Sequence, residues 1–568
     1  MVNKNDEFNL KITGYTSEGG GVGKFDGQAI FVENTAVGDE ILCHIIKAKK
    51  TYAIGKTIKI IKPSRHRIEP ECQSFKSCGG CSFGHIKYEE ELKYKAQKVA
   101  DAFTRIGGLS PEFGQIISSP ETKRYRNKAQ YPVRRENGIL SIGFYAKKSH
   151  RVIDGGDCLL QPEDFTRIIE IFRKWINDNS ITVYNEEIGI GLIRHIYLRK
   201  AFATGEIMVC AVINGTDLPE KEKLTEALKE IDGFKTLVIN INREKTNVVL
   251  GDTCIPVYGD GYITDVLCGV KIKLSPLSFY QVNRNGAELL YKKAAEYAAT
   301  NGDEDILDLY CGTGTIGLSM AKNVKSLIGV EIIPEAIEDA KENAEINGIK
   351  NARFICGDAK IAAQELQREG IKPHTVILDP PRKGCAEELL KTVSEIAPKK
   401  IVYVSCDPAT LARDCARLLT LGYTVKEVTP VDMFPRTAHV ESVALLSQQI
   451  DVHRMKLNSA PFEMIKSGMK TIELRLYDEK RQQVKIGDQI VFTNTATGET
   501  LNATVINLHR FNTFSELYKS LPLLKCGYTP ENIDNANPVD MEQYYSVEEQ
   551  KKYGVVGIEL CLSEQTTD

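Results

Sequence analysis

The segment Asp308-Leu-Tyr310-Cys-Gly312-Thr-Gly314-Thr-Ile-Gly317 constrains the fold more than any other stretch. It places a Gly-x-Gly-x-x-Gly run between an apolar stretch of strand length and a helical pattern that starts at Thr315. Glycines at such a turn let a ligand approach the backbone at a helix N terminus. The surrounding pattern agrees. Strand-like runs at 305–309, 326–330, 352–355, 375–378 and 400–404 alternate with helical runs from Thr315, Pro334 and Pro408. That alternation predicts a doubly wound, Rossmann-like α/β domain over 271–450.

The rest of the 568 residues reads as three further pieces. Residues 1–62 hold short β-rich runs (8–12, 28–32, 40–46, 57–61) split by glycine turns, which predicts a small barrel of about five strands. Residues 63–270 predict an α+β domain that opens with a cysteine-bearing loop and an amphipathic helix over 86–106. Residues 451–568 predict a mostly β domain with short helices. Charge is unevenly spread behind a net of −3. Residues 41–68 carry eight Lys/Arg and no acid, and 122–135 carry six and no acid. Residues 526–568 carry nine acids against two lysines. Any single lysine is best read as solvated surface, but long acid-free basic stretches favour phosphate contact. No apolar run reaches the roughly 18 residues of a membrane span. The first residues lack a signal-peptide core, so a cytoplasmic protein without a membrane partner is expected.

Fifteen cysteines in this length are too few for a disulfide scaffold. Three of them form Cys72-x5-Cys78-Gly-Gly-Cys81, with Cys158 downstream. Thiolates bind soft metals, and the glycines let the backbone wrap closely. A zinc knuckle and an iron–sulfur cluster are both compatible with this spacing.

The glycine loop alone does not separate NAD from S-adenosylmethionine (SAM); Glu331, about twenty residues on, suits a ribose hydroxyl in either case. Two strand ends decide. Asp379-Pro-Pro-Arg-Lys-Gly follows the fourth strand and Ser405-Cys406-Asp-Pro-Ala-Thr the fifth. Hydride transfer needs no cysteine there. Methylating carbon 5 of a uracil does, because that carbon is too weak a nucleophile unaided. A thiolate adding to carbon 6 makes an enolate, carbon 5 takes the methyl group from a sulfonium, and a base then removes the carbon 5 proton. Phe434-Pro-Arg-Thr-Ala-His439-Val-Glu441 offers two candidates for that base, His439 and Glu441. A lone cysteine is most often a small buried residue, but the flanking Ser and Asp-Pro directly after a strand oppose that reading for Cys406.

Tyr310-Cys-Gly-Thr-Gly, Asp-Pro-Pro-Arg-Lys-Gly, Ser-Cys-Asp-Pro-Ala-Thr, His-Val-Glu and Phe279-Tyr-Gln281-Val-Asn283 together resemble the RNA uracil-5-methyltransferase family. Gly19-Gly-Gly-Val-Gly with Val37-Gly-Asp-Glu resembles a TRAM domain, an OB-like RNA-binding barrel. The cysteine pattern, with Cys158-Leu-Leu-Gln-Pro, resembles the 4Fe–4S site of members that act on 23S ribosomal RNA. The resemblance spans about residues 5–447. It implies Cys406 as nucleophile and Glu441 as base. It implies Gln281, Tyr310, Glu331 and Asp379 as SAM contacts, with Asp358 near the adenine. It implies Cys72, Cys78, Cys81 and Cys158 as cluster ligands, and a helix after the cluster loop that packs on the catalytic domain. Asp407 stands where the family has Asn, and Tyr310 where Phe is common. Residues 462–475, 486–490 and 553–557 resemble an ASCH domain, a small β-barrel-like fold related to PUA modules, with Lys470, Glu473 and Arg475 lining its cleft.

The expected function is therefore SAM-dependent methylation of a uridine in 23S ribosomal RNA. The rivals are a tRNA uracil-5-methyltransferase, an NAD-dependent oxidoreductase and a non-catalytic RNA-binding ribosome-assembly factor.

Overall fold

The computed structural model describes residues 2–562, which divide into a unit ending at Ser447 and a second starting at Gln448. In the first, strands Glu7–Tyr15, Gly21–Phe25, Gln28–Val32, Glu40–Ala48 and Tyr52–Lys62 close into a barrel. Alternating residues (Leu10, Ile12, Ile30, Val32, Ile41, Cys43, Ile45) fill its interior. Part of the glycine-rich stretch that reads as a turn is strand, because the barrel is too narrow for side chains there. A Cβ on Gly23 would stand 2.6 Å from the Lys11 carbonyl oxygen.

The central region forms a seven-stranded sheet, in spatial order Thr253–Tyr258, Phe234–Ile241, Ile207–Ile213, Ile193–Lys200, Lys128–Glu136, Ile139–Tyr145 and Val152–Asp154. The helix Glu163–Asp178 lays Phe165, Ile168, Ile169, Phe172 and Ile176 against its core.

The catalytic sheet has eight strands in the order Ala352–Cys356, Ser326–Glu331, Asp305–Leu309, Thr375–Leu378, Lys400–Ser405, Glu441–Gln448, Tyr423–Val431 and Glu112–Phe113. The first five run parallel, and Glu441–Gln448 pairs antiparallel with Lys400–Ser405. Asp305–Leu309 and Thr375–Leu378 have the bounds that the sequence pattern gives them. The order reverses at Asp305–Leu309, which puts a ligand crevice beyond its carboxyl end. The helix after the cysteine loop, Tyr88–Ala102, packs on this sheet's layer, with Val99, Ala102 and Phe103 in the same core as Leu411 and Val428. Glu112–Phe113 completes the sheet's edge.

The second unit holds five strands in the order Val452–Leu457, Gln489–Asn494, Thr500–Phe511, Val555–Leu562 and Ile472–Leu476. Among the described residues they make an open sheet rather than the closed ring a barrel-like reading anticipates. Helices Ser459–Lys466 and Phe514–Ser520 supply Phe462, Ile465, Phe514 and Leu517 to its two hydrophobic clusters.

Candidate active site

In the antiparallel ladder between Lys400–Ser405 and Glu441–Gln448, Ser405 lies opposite Ser442. Cys406 follows the one and Glu441 precedes the other, so both leave the same end of the ladder. Asp407 fixes the turn by capping the next helix; its Oδ1 accepts from the amides of Ala409 (2.9 Å) and Thr410 (3.1 Å). An Asp does this as well as the Asn common in the family. The Cys406 thiol is half-buried. Burial, then the negative charge of Glu441, pushes it up to about 11, while the positive charge of Arg382 opposes the rise. Glu441 is buried, and burial followed by the charge of Asp379 pushes it up to about 8. His439 is exposed, and it is Glu441 whose charge acts on Cys406.

The glycine loop lies beside this pair. Tyr310, Gly312 and Gly314 all hold left-handed backbone (φ 67°, 54° and 78°). A non-glycine residue is rarely held there outside turns and functional sites. Glu331 closes the loop from the next strand. Its Oε2 accepts from the Gly312 amide (3.2 Å) and its Oε1 from those of Ile332 (2.8 Å) and Ile333 (3.1 Å). Asp379 is pushed up to about 7 by burial. Gln281 is half-buried and lies near the Tyr291 hydroxyl, on which the Asp379 charge also acts. Asp358 is exposed and caps a helix through the amides of Lys360 and Ile361.

Several site residues escaped the sequence reading. Asp308 is 1% exposed; its Oδ2 accepts from Gly317 (3.0 Å), and its Oδ1 has no partner. Burial, Asp379 and Glu331 push it up to about 8. Its signal was a carboxylate inside the apolar run Ile-Leu-Asp-Leu. Thr315 and Arg382 lie inside the glycine-loop and Asp-Pro-Pro-Arg motifs without a role assigned to them there, and Tyr291, whose hydroxyl stands 3.2 Å from that of Thr315, gave no pattern signal. Three carboxylates, one with an orphaned buried oxygen, suit a ligand with positive charge and hydroxyls. SAM has a sulfonium, an ammonium and a ribose diol, so these residues fit it.

The cysteines also gather. Cys72, Cys81 and Cys158 line a cavity of ≈ 60 Å³ together with Phe75 and Arg436. The charges of Cys78 and Cys72 act on both Cys81 and Cys158. An amide donor faces one of the sulfurs, that of Gly80 toward Cys78 (3.4 Å). Such donors are usual around metal thiolates. As placed, no group of three or more His, Cys, Asp or Glu among the described residues stands ready to hold a metal ion. Three of the four thiols line that cavity, and a set of thiol donors is the kind a soft-metal centre takes.

The basic stretches divide into two kinds. Arg67, Lys123, Arg124 and Arg134 are held in ion pairs with Asp39, Glu71, Asp157 and Glu186. Lys49, Lys50, Lys56, Lys59 and Lys62 on the barrel are exposed and, among the described residues, form no ion pair. In the second unit Glu473 is buried between Lys470 (3.0 Å) and Arg475 (3.0 Å), and Arg475 also reaches the Tyr545 hydroxyl (3.2 Å). These three do come together, in a buried network and not as surface pairs. No helix among the described residues is long and apolar enough to cross a membrane.

Family models match three segments: TRAM domain over residues 2–58, tRNA (uracil-5-)-methyltransferase over 87–449, and ASCH domain over 455–563. An uncharacterized RNA methyltransferase of Clostridium tetani is 46% identical over 447 residues, covering 78% of this chain and 97% of that protein. One of Halalkalibacterium halodurans is 42% identical, covering 78% and 98%. Among solved structures, the Pyrococcus abyssi tRNA (uracil-54, C5)-methyltransferase in complex with S-adenosyl-L-homocysteine matches with a TM-score of 0.64 at 30% identity. The match covers 77% of this chain and all of that one.

Proposed function

The chain belongs to the SAM-dependent uracil-5 RNA methyltransferase family, with TRAM and ASCH domains attached, and from that premise we propose that it methylates carbon 5 of a uridine in 23S ribosomal RNA through a covalent Cys406 adduct. The observation that carries the proposal is the placement of Cys406 and Glu441 at one end of a strand pair, next to the carboxylate-lined glycine loop.

Arg382 favours the Cys406 thiolate, which adds to carbon 6 of the ring and moves negative charge toward carbon 5 and the adjacent carbonyl oxygen. SAM, when bound, supplies an electrophilic methyl group for carbon 5. Asp308, Glu331 and Asp379 would hold it, with Gln281, Tyr310 and Asp358 also in contact. Glu441 then takes the proton from carbon 5. The electrons of that C–H bond re-form the ring double bond, the C6–S bond breaks, and its pair returns to Cys406 as thiolate. A base needs a pKa near the working pH, and a Glu441 raised to about 8 meets that need. The target must leave its stack to reach Cys406. The barrel lysines would grip looped or single-stranded RNA. The second unit would add an RNA or nucleotide contact around Lys470, Glu473 and Arg475.

The four cysteines Cys72, Cys78, Cys81 and Cys158 would ligate a 4Fe–4S cluster. No step above needs an electron, so its role here is structural.

One observation favours a second reading of the substrate: the solved neighbour is named for uridine 54 of tRNA. Mapping 5-methyluridine in 23S ribosomal RNA and in tRNA, with and without this protein, tests both. A position lost from ribosomal RNA supports the first, a position lost only from tRNA the second. No change in either would end the assignment.

A further inference from the structure

Glu441 sits at the end of a segment that the catalytic sheet does not itself hold. Residues 432–438, which lead into its strand, take many of their hydrogen bonds from the cysteine loop and the helix behind it, alongside the Ile117 carbonyl, which accepts from the Asp432 amide (2.9 Å), and Asn283, which donates to the Met433 carbonyl (3.0 Å). The Arg436 carbonyl accepts from the amides of Ser82 (2.8 Å) and Phe83 (3.0 Å), the two residues after Cys81. The Arg436 amide donates to Glu91 Oε1 (2.7 Å), and Arg436 itself is left-handed, with φ 69°. Lys95, fully buried, donates to Glu91 (2.7 Å), to Asp432 (2.6 Å) and to the Phe434 carbonyl (3.0 Å). The Tyr125 hydroxyl donates to the Pro435 carbonyl (2.9 Å), and Lys98 to that of Ala438 (2.9 Å). A fully buried lysine with two buried carboxylates is costly to build, and removing one member leaves the others buried without their partner.

We propose that the cysteine loop and the helix behind it position the general base: Ser82, Phe83, Glu91 and Lys95 fix residues 432–438 and thereby aim Glu441 at the adduct. Disturbing this clamp slows release of the methylated ring more than the steps before it. The inference rests on the reading of Glu441 as the base. Lys95 and Arg436 are positioning residues; neither touches the ring.

The test separates the steps. In 23S ribosomal RNA transcribed with 5-fluorouridine, carbon 5 carries fluorine in place of the proton, so the adduct accumulates without needing the base. On ordinary transcripts the adduct persists only if proton removal is slow. Transcribed tRNA is run in parallel, so that the identity of the substrate does not decide the outcome. For Lys95→Met, methylated covalent adduct on ordinary RNA should rise, with turnover down about 10- to 100-fold, the penalty typical of a misplaced group. Adduct on 5-fluorouridine RNA should form at the wild-type rate, and SAM affinity should not change. Arg436→Gly keeps the left-handed backbone, loses the guanidinium contacts to Ile86 and Glu91, and should move the same way by a smaller factor. It decides the matter if Lys95→Met does not fold. Parallel loss of turnover, of adduct on 5-fluorouridine RNA and of SAM affinity, or wild-type turnover in both variants, overturns the proposal. Failure of Glu441→Gln to accumulate adduct would instead overturn the reading of Glu441 beneath it.

Discussion

Cys406 and Glu441 stand opposite one another, one residue beyond the last ladder pair Ser405–Ser442, on two antiparallel strands of the catalytic sheet. The ladder thus spaces their backbones, while the direction of the Glu441 side chain depends also on residues 432–438, which lead into its strand. Cys406→Ala should abolish methyl transfer and covalent RNA adduct while leaving SAM binding intact by calorimetry. Glu441→Gln should transfer one methyl group and then hold the RNA, visible as a labelled band that survives denaturing gel electrophoresis. Free methylated RNA released from Glu441→Gln at the normal rate would remove Glu441 from the scheme.

The pH dependence follows from the direction of both shifts. Cys406, raised to about 11, is a thiol at neutral pH in the ligand-free protein. Its alkylation by iodoacetamide should be slow at pH 7 and climb steadily toward pH 11. Glu441, raised to about 8, acts as a base only when ionised, so turnover should fall as pH drops below 8. In Glu441→Gln the limb near pH 8 should vanish from the adduct-release rate.

Asp308 trades stability for binding. Its folded pKa, about 8, lies above the ordinary 3.8, so its contribution to stability is present below about pH 4 and is lost as pH rises through 8. Asp308→Asn should therefore raise the ligand-free Tm at pH 8, by an amount equivalent to about 1 kcal/mol or more, with no gain at pH 4. The same change should weaken SAM binding about 10- to 100-fold, the value of a hydrogen bond to a charged group. An unchanged SAM affinity would exclude Asp308 from the cofactor site.

The two kinds of basic residue on and just after the N-terminal barrel should behave differently. Lys59→Ala should weaken RNA binding and reduce the slope of log affinity against log salt by about 0.7, without changing Tm. Arg67 pairs with the buried Asp39 (Nε to Oδ1 3.1 Å), so Arg67→Ala should cost about 3 kcal/mol of stability by leaving that carboxylate buried without its cation. Equal Tm values for the two variants would refute the distinction.

Protein isolated without oxygen should be brown and contain iron and acid-labile sulfide, and substituting Cys81 or Cys158 with Ser should lower both. A colourless protein with stoichiometric zinc would replace the cluster with a single ion.

The catalytic chemistry was legible because each part of it is contiguous. The glycine loop, Asp379 with its prolines, and Cys406 with its capping Asp407 are local signals at strand ends, and the sheet brings such ends together. What stayed hidden was long-range. Helical periodicity identifies the segment that carries Glu91 and Lys95, but it cannot show that Lys95 is buried against Asp432, 337 residues away. Nor could it show that Arg67 is spent on Asp39 while Lys59 is not. The strand Gly21–Phe25 was concealed by its glycines, which serve close packing as well as turning.

The edge strand Glu112–Phe113 and the helix Tyr88–Ala102 come from the N-terminal side of the chain yet complete the catalytic layer. A fragment cut at the start of the Rossmann-like region would therefore expose a raw sheet margin and lose the support of its proton acceptor. Exchange of modules between relatives should succeed only when the cysteine loop travels with the sheet it braces.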